Sequence, residues 1–161
     1  MIASINKYMK YHQGYFRPKN PSKYKGDPTN VIYRSGLELR LMKFLDENSN
    51  ILKWNSEEVI IPYRSPIDGR VHRYFPDFWV RKRNQTGVIE DVLIEVKPSQ
   101  QCKPPKVANK LTPKGRTSRR YISEVKTWGI NSAKWEAAEA FCKKKDWSFV
   151  IMTEKDLTPN G

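Results

Sequence analysis

The chain has 161 residues, with 30 Lys and Arg against 17 Asp and Glu for a net charge of +13, and is 38% hydrophobic and 12% aromatic. That length suits one domain with a core of its own, and the aromatic content excludes a wholly disordered polymer. No apolar run approaches the roughly 18 residues of a membrane span, so a membrane protein is excluded as well.

The N-terminus, Met1-Ile2-Ala3-Ser4, runs into Lys and Tyr residues without an apolar stretch, and a reducing cytoplasm is expected. Cys102 and Cys142 are too few for a disulfide framework and have no zinc-type spacing. His12 and His72 are far apart, with no cysteine at ligand spacing, and make no case for zinc.

The charge is localised. Residues 1–36 hold seven cations and one acid, residues 99–120 hold seven cations and no acid, and the remainder is balanced. A neutral domain with two basic segments is expected to meet a polyanion, with DNA or RNA favoured over a membrane surface because neither segment carries an apolar helical stripe. In the first segment Tyr8, Tyr11, Tyr15, Phe16, Tyr24 and Tyr33 alternate with the cations. These rings can either stack on bases or pack on the domain.

In chain order, residues 1–34 read as an extended basic arm, because Pro18, Pro21 and Pro28 block a long helix. Ser35-Gly36-Leu37-Glu38 has the form of a capping box and opens the stripe Leu37, Leu41, Phe44, Leu45, which predicts a helix over about 35–48. Strands are predicted at 51–54, at 59–63 and from Arg70 to Arg81, with a turn at 66–69 between the last two. A turn at 84–87 leads into a strand over 88–97, where Val92, Ile94 and Val96 face one way and Leu93, Glu95 and Lys97 the other. Residues 98–120, with four prolines, are expected to be a long loop. Helical character returns from Tyr121 onward, with Ser132 as the predicted cap of a second helix running to Lys143–Lys145, and a strand over 147–152 follows. There is no internal repeat.

The chemistry is expected in the middle of the chain. Asp77 and Glu95 are separated by 17 residues, so a hairpin that pairs them has its midpoint at residue 86, inside the predicted turn. Directly opposed residues have Cβ atoms about 4.5–5.5 Å apart, close enough for both carboxylates to hold one divalent cation. Lys97 projects from the same face as Glu95. Two acids and a lysine beside a phosphodiester can perform metal-assisted hydrolysis. The same three residues can also form an ordinary ion cluster. The apolar neighbours Phe75, Phe78, Trp79, Leu93, Ile94 and Val96 weigh against that reading, because unpaired charge there is costly.

Pro76-Asp77 followed by Glu95-Val96-Lys97 resembles the PD-(D/E)xK nucleases, an α/β superfamily with a mixed β-sheet flanked by helices in a restriction-endonuclease-like core. The runs Tyr33-Arg34-Ser35, Trp54-Asn55-Ser56-Glu57-Glu58, Ile61–Pro66, His72–Phe78 and Lys134–Ala138 are similar to tailed-phage head completion nucleases and, more distantly, to TnsA-like endonucleases. The resemblance implies a nuclease-like domain over 35–156, preceded by the basic arm 1–34 and interrupted by the basic loop 98–120. It implies that Asp77, Glu95 and Glu38 bind Mg2+, with Mn2+ as a substitute, that the Val96 carbonyl adds a ligand, and that Lys97 assists the attacking water. Glu38 is open between this role and that of a helix cap. The DNA contacts are expected from Lys103, Lys106, Lys110, Lys114, Arg116, Arg119, Arg120 and Lys134. The implied activity is that of a DNA endonuclease of phage head completion after packaging, in the host cytoplasm and virion, with head, portal or neck proteins as further partners. The alternative is a structural head or neck DNA-binding protein that has the fold and does not cut.

Overall fold

The computed structural model describes residues 13–157. Tyr8, Tyr11 and His12 of the expected arm lie outside these residues. Eight strands and two long helices run in the order β1 (Gly14–Phe16), β2 (Val31–Tyr33), α1 (Gly36–Glu47), β3 (Ile51–Ser56), β4 (Ile61–Arg64), β5 (Val71–Tyr74), β6 (Phe78–Arg83), β7 (Ile89–Val96), α2 (Arg119–Lys145) and β8 (Ser148–Met152). The main sheet has the order β3-β6-β7-β8. Its first two pairings are antiparallel and the β7–β8 pairing is parallel, which makes the sheet mixed. The pairs β1–β2 and β4–β5 are separate two-stranded ribbons.

The alternation expected along β7 divides the core in two. Val92, Ile94 and Val96 join Phe78, Val80 and Trp54 on one face, where α1 contributes Leu41, Met42 and Leu45. Leu93 and Trp79 point to the other face and meet Ala138 and Cys142 of α2, together with Ile61 and Tyr74 of the β4–β5 ribbon. A helix therefore covers each face, as expected for an α/β restriction-endonuclease-like core. Removing these apolar side chains from water is the main force holding the layers together.

Of the described rings in the N-terminal segment, Phe16 and Tyr24 take the packing alternative and Tyr33 packs partly, whereas Tyr15 is exposed. Phe16, Tyr24 and Val31 are buried in the first core, and the Tyr24 ring meets Trp54 edge-on at 4.8 Å. The buried Asp46 carboxylate at the end of α1 fastens the segment by accepting the main-chain N–H groups of Lys19 and Asn20 at 2.8 and 3.0 Å.

Three predicted elements are corrected. The strand expected over Arg70–Arg81 is two strands, because Pro76 has no N–H to give a ladder. At the buried Pro76 the chain leaves the ribbon and enters the main sheet. The strand expected at 59–63 is Ile61–Arg64. The second helix begins at Arg119 rather than at Ser132, with Ser118 as the cap whose hydroxyl accepts the Tyr121 N–H at 3.3 Å. In its first turns Ile122 and Val125 are exposed, so this part of the helix is not marked by a buried apolar stripe. Arg119 and Arg120, expected on the loop, are thus helical. The loop itself contains single 3-10 turns at Ser99–Cys102 and Val107–Asn109 and a bridge between Leu111 and Thr117.

Candidate active site

The β6–β7 hairpin has the predicted register. Phe78 pairs with Ile94 and Trp79 with Leu93, so continuing the ladder by one residue sets Asp77 opposite Glu95. The turn is held by Asn84, whose side-chain oxygen accepts the N–H groups of Thr86 and Val88 at 2.9 and 3.0 Å. A one-residue slip of β7 against β6 would carry Glu95 and Lys97 together to the face opposite Asp77. Local turn chemistry therefore sets the separation of the two acids.

Asp77 follows Pro76 at the point where the chain enters β6. Its Oδ2 accepts the Val96 N–H at 2.7 Å. Its carboxyl is pushed up to about 8, first by burial and then by the adjacent Glu95 charge, with Glu38 contributing in the same direction. Glu95 is 7% exposed and has two distinct oxygens. Its Oε2 accepts the Tyr74 hydroxyl at 2.6 Å, whereas its Oε1 lies 3.6 Å from the Lys97 ammonium.

Glu38 both caps α1 and stands in the electrostatic neighbourhood of Asp77. The Ser35 hydroxyl accepts the Glu38 N–H at 3.1 Å, and Glu38 Oε2 accepts the Arg34 N–H at 2.9 Å, one residue earlier than the usual reciprocal bond. Burial raises its carboxyl above the ordinary range, against the opposing Arg34 N–H bond. The structure thus brings Asp77, Glu95 and Lys97 together, with Glu38 beside them.

Three neighbours lie in runs that carry the resemblance but are not picked out there as site residues. Glu57 forms an ion pair with Arg34 and donates its N–H to the Asp77 carbonyl at 3.1 Å. Its φ of 55° is uncommon for a residue other than glycine, and such conformations concentrate at functional sites. The third neighbour is Tyr74. Its place before a Pro-Asp step gave no separate signal, since a buried tyrosine reads as core.

The basic residues occupy two places. Lys103, Lys106, Lys110, Lys114, Arg116, Arg119 and Arg120 are exposed. Lys114, Arg116, Arg119 and Arg120 line an open groove of about 630 Å³ at the start of α2. Arg120 is paired there with Glu124 at 2.8 Å. Lys134 is farther along α2 and half-buried, with its ammonium 5.6 Å from the centre of the Tyr74 ring and 5.7 Å from that of Tyr63. His72 lies on the β4–β5 ribbon, 2.8 Å from Asp68.

Among the described residues, no three His, Cys, Asp or Glu side chains stand close enough to enclose an ion by themselves. The donor set nevertheless fits a hard divalent cation. Mg2+ keeps several waters and takes one or two protein carboxylates together with substrate phosphate oxygens. Asp77 and Glu95 supply two carboxylates whose mutual repulsion, expressed in the raised Asp77, a cation would relieve.

The fold is that of an α/β domain with a mixed sheet, and comparison gives the family. Residues 48–154 match the family described as TnsA-like endonuclease N terminal, and the chain belongs to it. It is also 37% identical over 150 residues to the Head completion nuclease of Enterobacteria phage T4, covering 93% of this chain and 96% of that protein.

Proposed function

We propose that the chain is a divalent-metal-dependent DNA endonuclease of phage head completion, acting in virion assembly after packaging, in the host cytoplasm and on the virion. The observation that carries this reading is the hairpin register that sets Asp77 opposite Glu95, with Lys97 on the same side of the sheet. The likeness over nearly the whole length of a phage head completion nuclease supports the biological setting. In this reading residues 35–156 form the nuclease unit, with Phe16, Tyr24 and Val31 of the preceding basic segment completing its first core, while the cations of that segment and of 98–120 hold DNA and head or neck proteins are further partners.

Asp77 and Glu95 would hold Mg2+, or Mn2+ in its place, with the Val96 carbonyl and Glu38 as additional oxygen donors. Bound there, the cation would polarise the phosphoryl oxygen and acidify a water. Lys97 supplies a charge that can orient the water and offset the negative charge growing on the phosphate. Buried surroundings strengthen that interaction, because little solvent screens it. The exposed cations of 103–120 bind phosphates without reading sequence and bring the duplex to the carboxylates.

The test is incubation of the protein with linear, closed circular and branched DNA, in Mg2+ or in EDTA. Breaks in closed circular DNA in Mg2+ and none in EDTA are expected. Intact DNA of every form in both Mg2+ and Mn2+ would contradict the reading and leave a structural head or neck DNA-binding protein.

A further inference from the structure

Tyr74 is the last residue of β5, pairs with Ile61 across the β4–β5 ribbon and is 3% exposed. Its ring packs in the second core, among Ile61, Trp79, Leu93 and Ala138. Packing accounts for the ring and leaves the hydroxyl to be explained. That hydroxyl reaches Glu95, 21 residues away in sequence and on another sheet, and donates to Oε2 at 2.6 Å.

A neutral phenol has one proton to give, and here the acceptor is a carboxylate whose two oxygens are otherwise equivalent. The bond makes them different. Oε2 is committed to Tyr74, and Oε1 is the oxygen 3.6 Å from the Lys97 ammonium. Tyr74 and Asp77 lie on either side of the Phe75–Pro76 step, where the ring of the buried Pro76 restricts the backbone between them. The same short stretch therefore delivers one acid directly and orients the other through the phenol. The Lys134 ammonium stands over the Tyr74 ring, 5.6 Å from its centre.

We propose that Tyr74 is a positioning residue, whose hydroxyl fixes the rotation of the Glu95 carboxylate and so presents Oε1 to the cation and to Lys97. The proposal rests on the reading of Asp77 and Glu95 as the cation-binding pair. Without the phenol, Glu95 Oε2 has no donor in its buried surroundings and the carboxylate turns to find one. Groups that orient a metal ligand in this way typically contribute ten- to hundredfold, roughly, to metal affinity or activity.

The experiment measures Mn2+ binding from the resonance of the free ion in electron paramagnetic resonance, without DNA, for wild type, Tyr74→Phe, Glu95→Gln and the double variant. The Mg2+ concentration at half-maximal DNA cleavage is read in parallel, with the melting temperature of each protein. Tyr74→Phe is expected to weaken Mn2+ binding and raise the Mg2+ requirement about tenfold or more, with KM for DNA unchanged. In the Glu95→Gln background the same change is expected to do nothing further, because the effect passes through Glu95. A 3-fluorotyrosine at position 74 keeps both ring and hydroxyl and is expected to bind Mn2+ like wild type. This holds the test open even if the Phe variant folds poorly, since weak binding in the fluorotyrosine protein would overturn the proposal. Equal Mn2+ affinity in wild type and a folded Tyr74→Phe, or an undiminished effect in Glu95→Gln, would also overturn it. Absence of Mn2+ binding by wild type would overturn the cation-binding reading itself and the proposal with it.

Discussion

Asp77 Oδ2 accepts the Val96 N–H at 2.7 Å, so the first carboxylate is fastened to the strand that carries the second. This bond favours the charged form of Asp77, yet burial and the Glu95 charge outweigh it and the group sits near 8. Two acids have been brought together at the cost of mutual repulsion, an arrangement that a cation stabilises.

A pH dependence of stability follows. The folded-state value of Asp77 lies above the ordinary 3.8, so between about pH 4 and 8 the folded state holds a proton that the unfolded state has lost. Its contribution is fully present below pH 4 and disappears as pH rises through 8. In EDTA the melting temperature of wild type is expected to fall over this window more than that of Asp77→Asn. Added Mg2+ is expected to raise the melting temperature more at pH 8.5 than at pH 5.5, because the cation competes with the proton. Differential scanning calorimetry at these two pH values checks both signs.

Chemistry and capping separate at Glu38. Glu38→Gln retains an oxygen that can accept the Arg34 N–H, yet removes the charge that a cation would need. If Glu38 belongs to the site, this variant melts near the wild-type temperature and loses most cleavage. Ser35→Ala deletes the cap that accepts the Glu38 N–H and is expected to cost about 1 kcal/mol of stability with Asp77 and Glu95 untouched. Full cleavage by Glu38→Gln would assign Glu38 to capping alone.

The basic segment makes a prediction about salt. Neutralising the seven cations of 99–120 is expected to reduce the slope of log K against log salt for duplex DNA by up to about 6, at roughly 0.9 for each phosphate that no longer meets a cation. Titrations between low and moderate salt measure it directly. An unchanged slope would assign the segment to another partner.

The hairpin was legible because two independent signals, the Asn84–Gly87 turn and the Asp77–Glu95 spacing, share one midpoint, and the ladder has that register. The division of β7 into two faces was legible from its period of two. The start of α2 was not. Helical character is readable from Tyr121, but Ser132 reads as a cap and moves the expected start there; capping requires a non-helical backbone, whereas the helix runs unbroken through Tyr121–Asn131, with Ile122 and Val125 exposed. Gly129 adds to the difficulty. It weakens helical propensity, yet a Cβ there would come within 3.6 Å of the Pro66 ring, so the helix runs close to the β4–β5 ribbon at this point. Tyr74 and Glu57 escaped for a different reason. Their roles depend on contacts across 21 residues and across the β3–β6 edge, which no local pattern records.

The central claim is that Asp77 and Glu95 jointly support metal-dependent cutting. The most direct measurement is single-turnover cleavage of closed circular DNA in excess Mg2+ by wild type, Asp77→Asn and Glu95→Ala, with DNA affinity and melting temperature recorded for each. The account predicts that both variants bind DNA and fold much as wild type does and that neither cuts. Wild-type cleavage rates in either variant would contradict it.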